Sequence, residues 1–260
     1  MGSAMSSTFQ SLRYRNARLF FVGLLVSNIG TWVQLTAMGL LVYRLTGSSL
    51  EIGLATALQW LPMLVMGAWA GAFADRRRKH RLAVITQTLL AAQAFVTAIL
   101  DLSGVIDMPI VYVLSFVFGV INAIDNPARR GFVTELVAPS EISNVVSLNT
   151  AVMTGSRIFG PAITALLVGP LGTGWLFLVN AFSFTAIIGS LLAIRRSELY
   201  PAPIAPRWIS HWSSASLRPC VPTSVASNAA WRRCRPHHDL RHRHRHLRHP
   251  AHRDRAGAPR

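Results

Sequence analysis

Charge is scarce in this sequence. Only 14% of its 260 residues are Asp, Glu, Lys or Arg, against roughly a quarter in an ordinary soluble domain. Acidic residues number 10 in all, and none falls in the middle of a long apolar run, so no mid-membrane proton carrier can be named. Cysteine is rarer still. Cys220 and Cys234 both lie beyond Tyr200, as does every histidine except His80, which leaves the first 200 residues without the Cys/His sets of a structural zinc site. No Gly-Lys phosphate loop is present, which removes support for an ATP-driven machine and for a nucleotide cofactor.

What is abundant is hydrocarbon. Hydrophobic residues make up 51% of the chain, with a mean hydropathy of +0.37. The formal net charge of +16 suggests a nucleic-acid binder, yet the average misleads. Up to Tyr200 there are 14 basic and 8 acidic residues, a net of +6; beyond it 12 Arg face only Asp239 and Asp254, a net of +10. Two compositions are joined and need separate accounts.

The first composition reads as six membrane spans. Residues 1–18 form a polar segment with Arg13, Arg15 and Arg18 before the first apolar run. A cleaved signal peptide would show a short apolar core and a small-residue cleavage site. Here the run continues from Leu19 to about Val42, long enough at ~1.5 Å per residue to cross ~30 Å of hydrocarbon. Further runs cover about Leu50–Ala74, Leu82–Leu102, Met108–Ile124, Ile142–Val168 and Trp175–Ile194. Gly- and Pro-containing breaks, among them Gly169-Pro170-Leu171-Gly172, separate several of them. Basic connections (Arg13/Arg15/Arg18, Arg76–Arg81, Arg129/Arg130, Arg195/Arg196) alternate with acidic or uncharged ones (Glu51, Asp101/Asp107, Gly169–Gly174). The positive-inside rule then predicts a multi-pass protein with both ends of the 19–194 unit, the N-terminus included, in the cytoplasm.

Between the second and third spans stands GAFADRRRKHR, Gly71 to Arg81. A cationic cluster there is first of all a topology anchor. Its residues Gly71, Asp75, Arg76, Lys79 and Arg81 also fall at the spacing G-x3-D-R-x2-[RK]-x-[RK]. That spacing resembles the signature between helices two and three of major facilitator superfamily transporters, with Arg78 in place of the usual Gly. In the fifth span, Gly160-Pro161 sits among small residues. By itself this is a packing stripe with a bend, since Pro161 deprives the Arg157 carbonyl of its helical partner. It also resembles the Gly-Pro motif of drug:proton antiporters, with Thr164 and Ala165 where paired glycines are usual. DNPARRGFVTELV (Asp125–Val137), SNIGTWVQ (Ser27–Gln34) and LVYRLTGSSLEIGL (Leu41–Leu54) are similar to the branch holding the enterobactin exporter and related multidrug efflux proteins.

The resemblance covers about Ser11 to Arg196. It implies an all-α integral membrane fold, the six-helix N-terminal half of a twelve-helix transporter in the bacterial cytoplasmic (inner) membrane. It implies secondary-active efflux of a small amphipathic compound or siderophore by alternating access, with the proton as coupling ion and no covalent chemistry or cofactor. Polar groups at membrane depth are the candidate cavity residues: Arg157, about half-way along the fifth span, as a cavity-lining or ion-paired cation, with Asn28, Gln34 and Asn149. For each amide a plain interhelical hydrogen bond is an equal reading. Asp125 is expected to pair with Arg76 or Lys79 as a latch.

Residues 195–206 read as a cytoplasmic linker, and 207–260 as a disordered Arg/His-rich tail. The tail has three readings: a segment binding nucleic acid or acidic lipid, a metal-binding His tract lacking fixed zinc spacing, or translation out of frame. Arg CGN codons alternating with His CAY, read one nucleotide later, become GNC alternating with AYC. Arg241–His246 then conceals a small-apolar and Ile/Thr run suited to a membrane helix. The expectation is a frameshift that truncates the transporter, with no nucleic-acid partner. The rivals are an inert fragment and a membrane-anchored basic adaptor.

Overall fold

Apolar runs of hydrocarbon length leave a backbone few options: each N–H and C=O must be satisfied inside its own helix. The computed structural model describes residues 13–195 and 198–200, all within the first of two units, residues 1–206 and 207–260. The helices are α1 (Arg15–Thr46), α2 (Ser49–Asp75), α3 (Lys79–Leu102), α4 (Met108–Val133) and α5 (Ile142–Ala193). Two 3-10 turns, Thr134–Leu136 and Pro139–Glu141, connect α4 to α5. All five helices are long and apolar enough to cross a membrane, and the described residues contain no strand. Residues 201–260, with the expected tail, lie outside the described residues.

The sequence predicts six spans, whereas the structure assigns five helices, because the last two spans join in α5. At 52 residues α5 is about 78 Å long at ~1.5 Å per residue, more than twice a hydrocarbon core of ~30 Å. It is not a single rod. Gly172 interrupts it with φ 76° and ψ 173°, a conformation essentially confined to glycine. Contacts with α1 show the reversal. Before Gly172, rising numbers meet rising numbers, Met153 at Asn28 and Thr164 at Val33. After it the order inverts, Asn180 at Gln34 and Arg195 at Asn16. Residues 142–171 and 173–193 are therefore two antiparallel arms, each long enough for one crossing. Pro170, expected within the break, stays helical.

A second difference concerns α4, which runs on to Val133 and takes in Arg129 and Arg130, placed by the sequence in a connection. Side-chain pairs one turn apart support the added turns: Asp125 with Arg129 and Asn122 with Asn126.

The core has two centres along α1. Near its start, Phe20 and Leu24 pack with Phe132 of α4 and with Phe184, Ile187 and Leu191 of the second arm of α5. Near its end, Val33, Ala37 and Leu41 meet Ala98, Leu176 and Phe177. Small residues let these helices touch. A Cβ on Gly119 would stand 2.4 Å from the Gln59 carbonyl oxygen, and one on Gly160 would stand 2.3 Å from Trp32 Cβ. Inside lipid, where hydrophobic drive between helices fades, such contact supplies the association.

Candidate functional site

The basic connections gather at one end of the bundle. Gly71 and Asp75 occupy the last turns of α2, Arg76 caps it, and Lys79 and Arg81 begin α3. Asp75, Arg76 and Arg81 are exposed. Lys79 lies over Gly131 and places Nζ 3.5 Å from Glu135 Oε1. The neighbouring His80 is buried, its Nε2 2.8 Å from the Leu191 carbonyl oxygen. Asn16 closes the same end, its amide bonded to both the carbonyl and the N–H of Arg195, while Tyr200 N–H donates to the Glu135 carbonyl. The motif loop, the α4–α5 connection and the exit of α5 thus meet through side-chain and backbone polar contacts.

Asp125 does not join them as the latch predicts. Its Oδ1 accepts from Thr86 Oγ1 at 2.7 Å and Gln87 Nε2 at 2.9 Å, and Oδ2 stands 3.4 Å from Arg129 Nε. The pairing with Arg76 or Lys79 is therefore corrected to Arg129. The reason is local: once α4 continues past Asp125, its own next turn delivers a guanidinium, and Lys79 meets Glu135 beyond the helix end. Arg129 Nη1 in turn donates to Asn28 Oδ1 at 3.0 Å, and Asn28 Nδ2 lies 2.8 Å from Met153 Sδ. One polar chain now links α3, α4, α1 and the first arm of α5.

Deeper in the bundle, Gln34 donates to Gln93 Oε1 at 3.0 Å and accepts from Asn180 Nδ2 at 2.6 Å. Gln93 continues to Thr97 Oγ1 at 3.2 Å. An unpaired amide here would lack water as a partner, and the reciprocal bonds remove that cost.

The four cavity candidates separate into two pairs. Asn28 and Gln34 are buried ties between helices, whereas Asn149 is half-buried and Arg157 exposed on the first arm of α5. Among the described residues Arg157 has no ion-pair partner; its Cζ sits 5.1 Å from the centroid of the Trp32 ring. Gly160 packs beneath the same tryptophan, and the backbone stays helical through Pro161.

Several interacting residues went unread in the sequence. At the end opposite the basic loop, Asp101 is buried and pairs with Arg44, while Thr173 Oγ1 donates to its Oδ2 at 2.5 Å. Tyr112 donates to Glu51 nearby. Arg44 carried a signal, because a cation on the non-basic side breaks the charge alternation and calls for a partner. Thr86, Gln87, Gln93 and Asn180 carried only their polarity within apolar runs.

Comparison with known proteins agrees with this architecture. A family described as transmembrane secretion effector matches residues 6–220. The chain is 23% identical over 171 residues to the staphyloferrin A transporter of Staphylococcus aureus (strain NCTC 8325 / PS 47), covering 64% of this chain and 42% of that protein. It is 26% identical over 160 residues to the MFS-type transporter YfiS of Bacillus subtilis (strain 168), covering 61% and 37%. With macrolide efflux protein A of Streptococcus pyogenes it shares 23% over 185 residues, covering 70% and 44%. The chain spans less than half the length of these relatives. With a match that takes in most of the sequence and a helical bundle to go with it, the chain belongs to the transmembrane secretion effector family of the major facilitator superfamily.

Proposed function

We propose that this chain forms one half of a secondary-active exporter that moves a small amphipathic compound or siderophore by alternating access, with the proton as coupling ion. One observation carries the reading. Polar and polarisable residues recur at helical spacing along three neighbouring helices: Asn28 and Trp32 on α1, Asn122, Asn126 and Arg129 on α4, Asn149, Met153 and Arg157 on α5. Arg129–Asn28, Asn28–Met153 and Arg157–Trp32 contacts join the three rows. Facing lipid, such rows would be costly; facing a wet path between two halves, they are useful.

The remaining parts take supporting roles. Gly71, Asp75, Arg76 and Arg81 form the conformational-switch loop, with Lys79–Glu135 tying it to the α4–α5 connection. Gly160 and Pro161 let the fifth helix approach α1 closely and adjust as the halves rock. The relatives' names, a staphyloferrin A transporter and a macrolide efflux protein, fit export of such compounds. Their greater length fits a second half that would complete the path. Placement in the bacterial cytoplasmic membrane with the N-terminus inside follows the charge asymmetry.

The test is flux. Proteoliposomes carrying the chain, given labelled erythromycin, rhodamine 6G or citrate under an imposed proton gradient, are expected to show saturable, uncoupler-sensitive movement of at least one. Flux that ignores the gradient removes proton coupling. Absence of saturable flux for the whole panel removes export by this chain.

A further inference from the structure

Arg157 is the only charged residue in α5, 15 positions after its start at Ile142 and 15 before the turn at Gly172. At ~1.5 Å per residue either end of that arm is about 22 Å away, beyond the reach of a snorkelling side chain. Lipid phosphates lie at the ends of the crossing and not at its centre, so they do not neutralise it. The Asp125–Arg129 pair does not either. Arg129 is engaged by Asp125 and Asn28, and Asp125 is filled by Thr86, Gln87 and Arg129. Among the described residues no carboxylate lies within salt-bridge distance of Arg157. The joined rows therefore carry a net charge of one positive unit at mid-depth, held open on an exposed guanidinium that rests on the Trp32 ring.

We infer that the compound this face receives carries an anionic carboxylate group, bound by Arg157, with Trp32 packing against the apolar part beside it. The inference rests on the transport reading above and narrows it. A guanidinium presents parallel N–H donors that match a carboxylate two-to-two. The cation–π contact holds the guanidinium in place while the site is empty without consuming its in-plane donors. Asn149 and Met153, two turns and one turn away on the same face, supply an amide and a polarisable surface for the rest of the molecule. A permanent cation such as tetraphenylphosphonium meets like charge at the same point and is excluded.

Equilibrium dialysis of the purified full chain in lipid nanodiscs decides this, with labelled citrate, tetraphenylphosphonium and erythromycin as probes. Citrate is expected to bind saturably, at least tenfold more weakly in Arg157→Gln and less weakened in Arg157→Lys, while tetraphenylphosphonium binds poorly until Arg157 is neutralised. Circular dichroism and size-exclusion profiles establish that the variants fold. If Arg157→Gln does not fold, the citrate-to-tetraphenylphosphonium ratio in the unsubstituted chain and its change in Arg157→Lys decide. Saturable binding of erythromycin or tetraphenylphosphonium without citrate overturns the carboxylate inference and leaves the export reading standing. Failure of all three to bind overturns both. Citrate affinity unchanged in a folded Arg157→Gln overturns the assignment to Arg157.

Discussion

Arg44→Ala is expected to destabilise the bundle more than Asp101→Asn, although Arg44 is the more exposed member of the pair. The side chains are 53% and 1% exposed, respectively. Removing Arg44 leaves a buried carboxylate with Thr173 Oγ1 as its remaining polar partner. Breaking a buried pair in this way costs roughly 3–5 kcal/mol; because Arg44 is half in solvent, the low end, about 3 kcal/mol, applies. Asp101→Asn removes the charge, keeps an oxygen for Thr173, and releases Arg44 to water. A hydrogen bond to a charged group is worth roughly 1.5–3 kcal/mol, and exposure again selects the low end, about 1.5 kcal/mol. Arg44→Ala combined with Asp101→Asn is expected to be more stable than Arg44→Ala alone, since no buried charge is orphaned. Reversible unfolding in mixed micelles with increasing dodecyl sulfate, followed by circular dichroism, gives the order of the midpoints. An Asp101→Asn variant as damaged as Arg44→Ala, or a double variant worse than either, refutes the reasoning.

The same assay reads three further outcomes. Arg129→Ala is expected to cost about 3 kcal/mol by orphaning Asp125, whereas Arg76→Ala changes stability by less than about 0.5 kcal/mol; the reverse order would restore the latch between Asp125 and the motif loop. Gly160→Ala is expected to cost roughly 1–3 kcal/mol because the new methyl meets Trp32 Cβ at 2.3 Å, while Gly155→Ala, with nothing within 4 Å, stays near neutral. Equal effects would mean that α1 and α5 do not pack at Gly160. Gly172→Ala is expected to cost roughly 1–3 kcal/mol because φ 76° with ψ 173° excludes a Cβ. A neutral result would place the reversal of α5 elsewhere.

The positions of α1, α2 and α3 were legible because the bilayer filters each segment separately, although α1 runs four residues further at each end and α3 starts three residues earlier than its apolar run. The place of Arg157 half-way along its apolar run was legible for the same reason. Asp125 was singled out in the sequence, but the structure pairs it with Arg129, because the sequence pattern ended α4 at Ile124 and left Arg129 in a loop. Gly160-Pro161 was read as a bend, yet what the glycine provides is room for Trp32. Asn28 and Gln34 illustrate a different limit. Whether an amide on a membrane helix faces a wet path or a neighbouring helix depends on rotation about the helix axis, which a hydropathy profile does not contain.

The sequence alone determined where the apolar segments of crossing length lie, which connections are basic, and that the cationic stretch Gly71–Arg81 stands between α2 and α3. Each of these depends on one segment's transfer from water to hydrocarbon, an energy that is additive along the chain. Tertiary structure decided which polar atoms meet. Gln34, Gln93 and Asn180 are scattered over three crossings, as are Arg44, Asp101 and Thr173. Their encounters depend on interhelical distance and rotation, fixed by close approach at Gly30, Gly119 and Gly160 and by the reversal at Gly172. Those contacts are non-additive, and that is why the polar chain from Thr86 to Met153 appears only when the helices are packed.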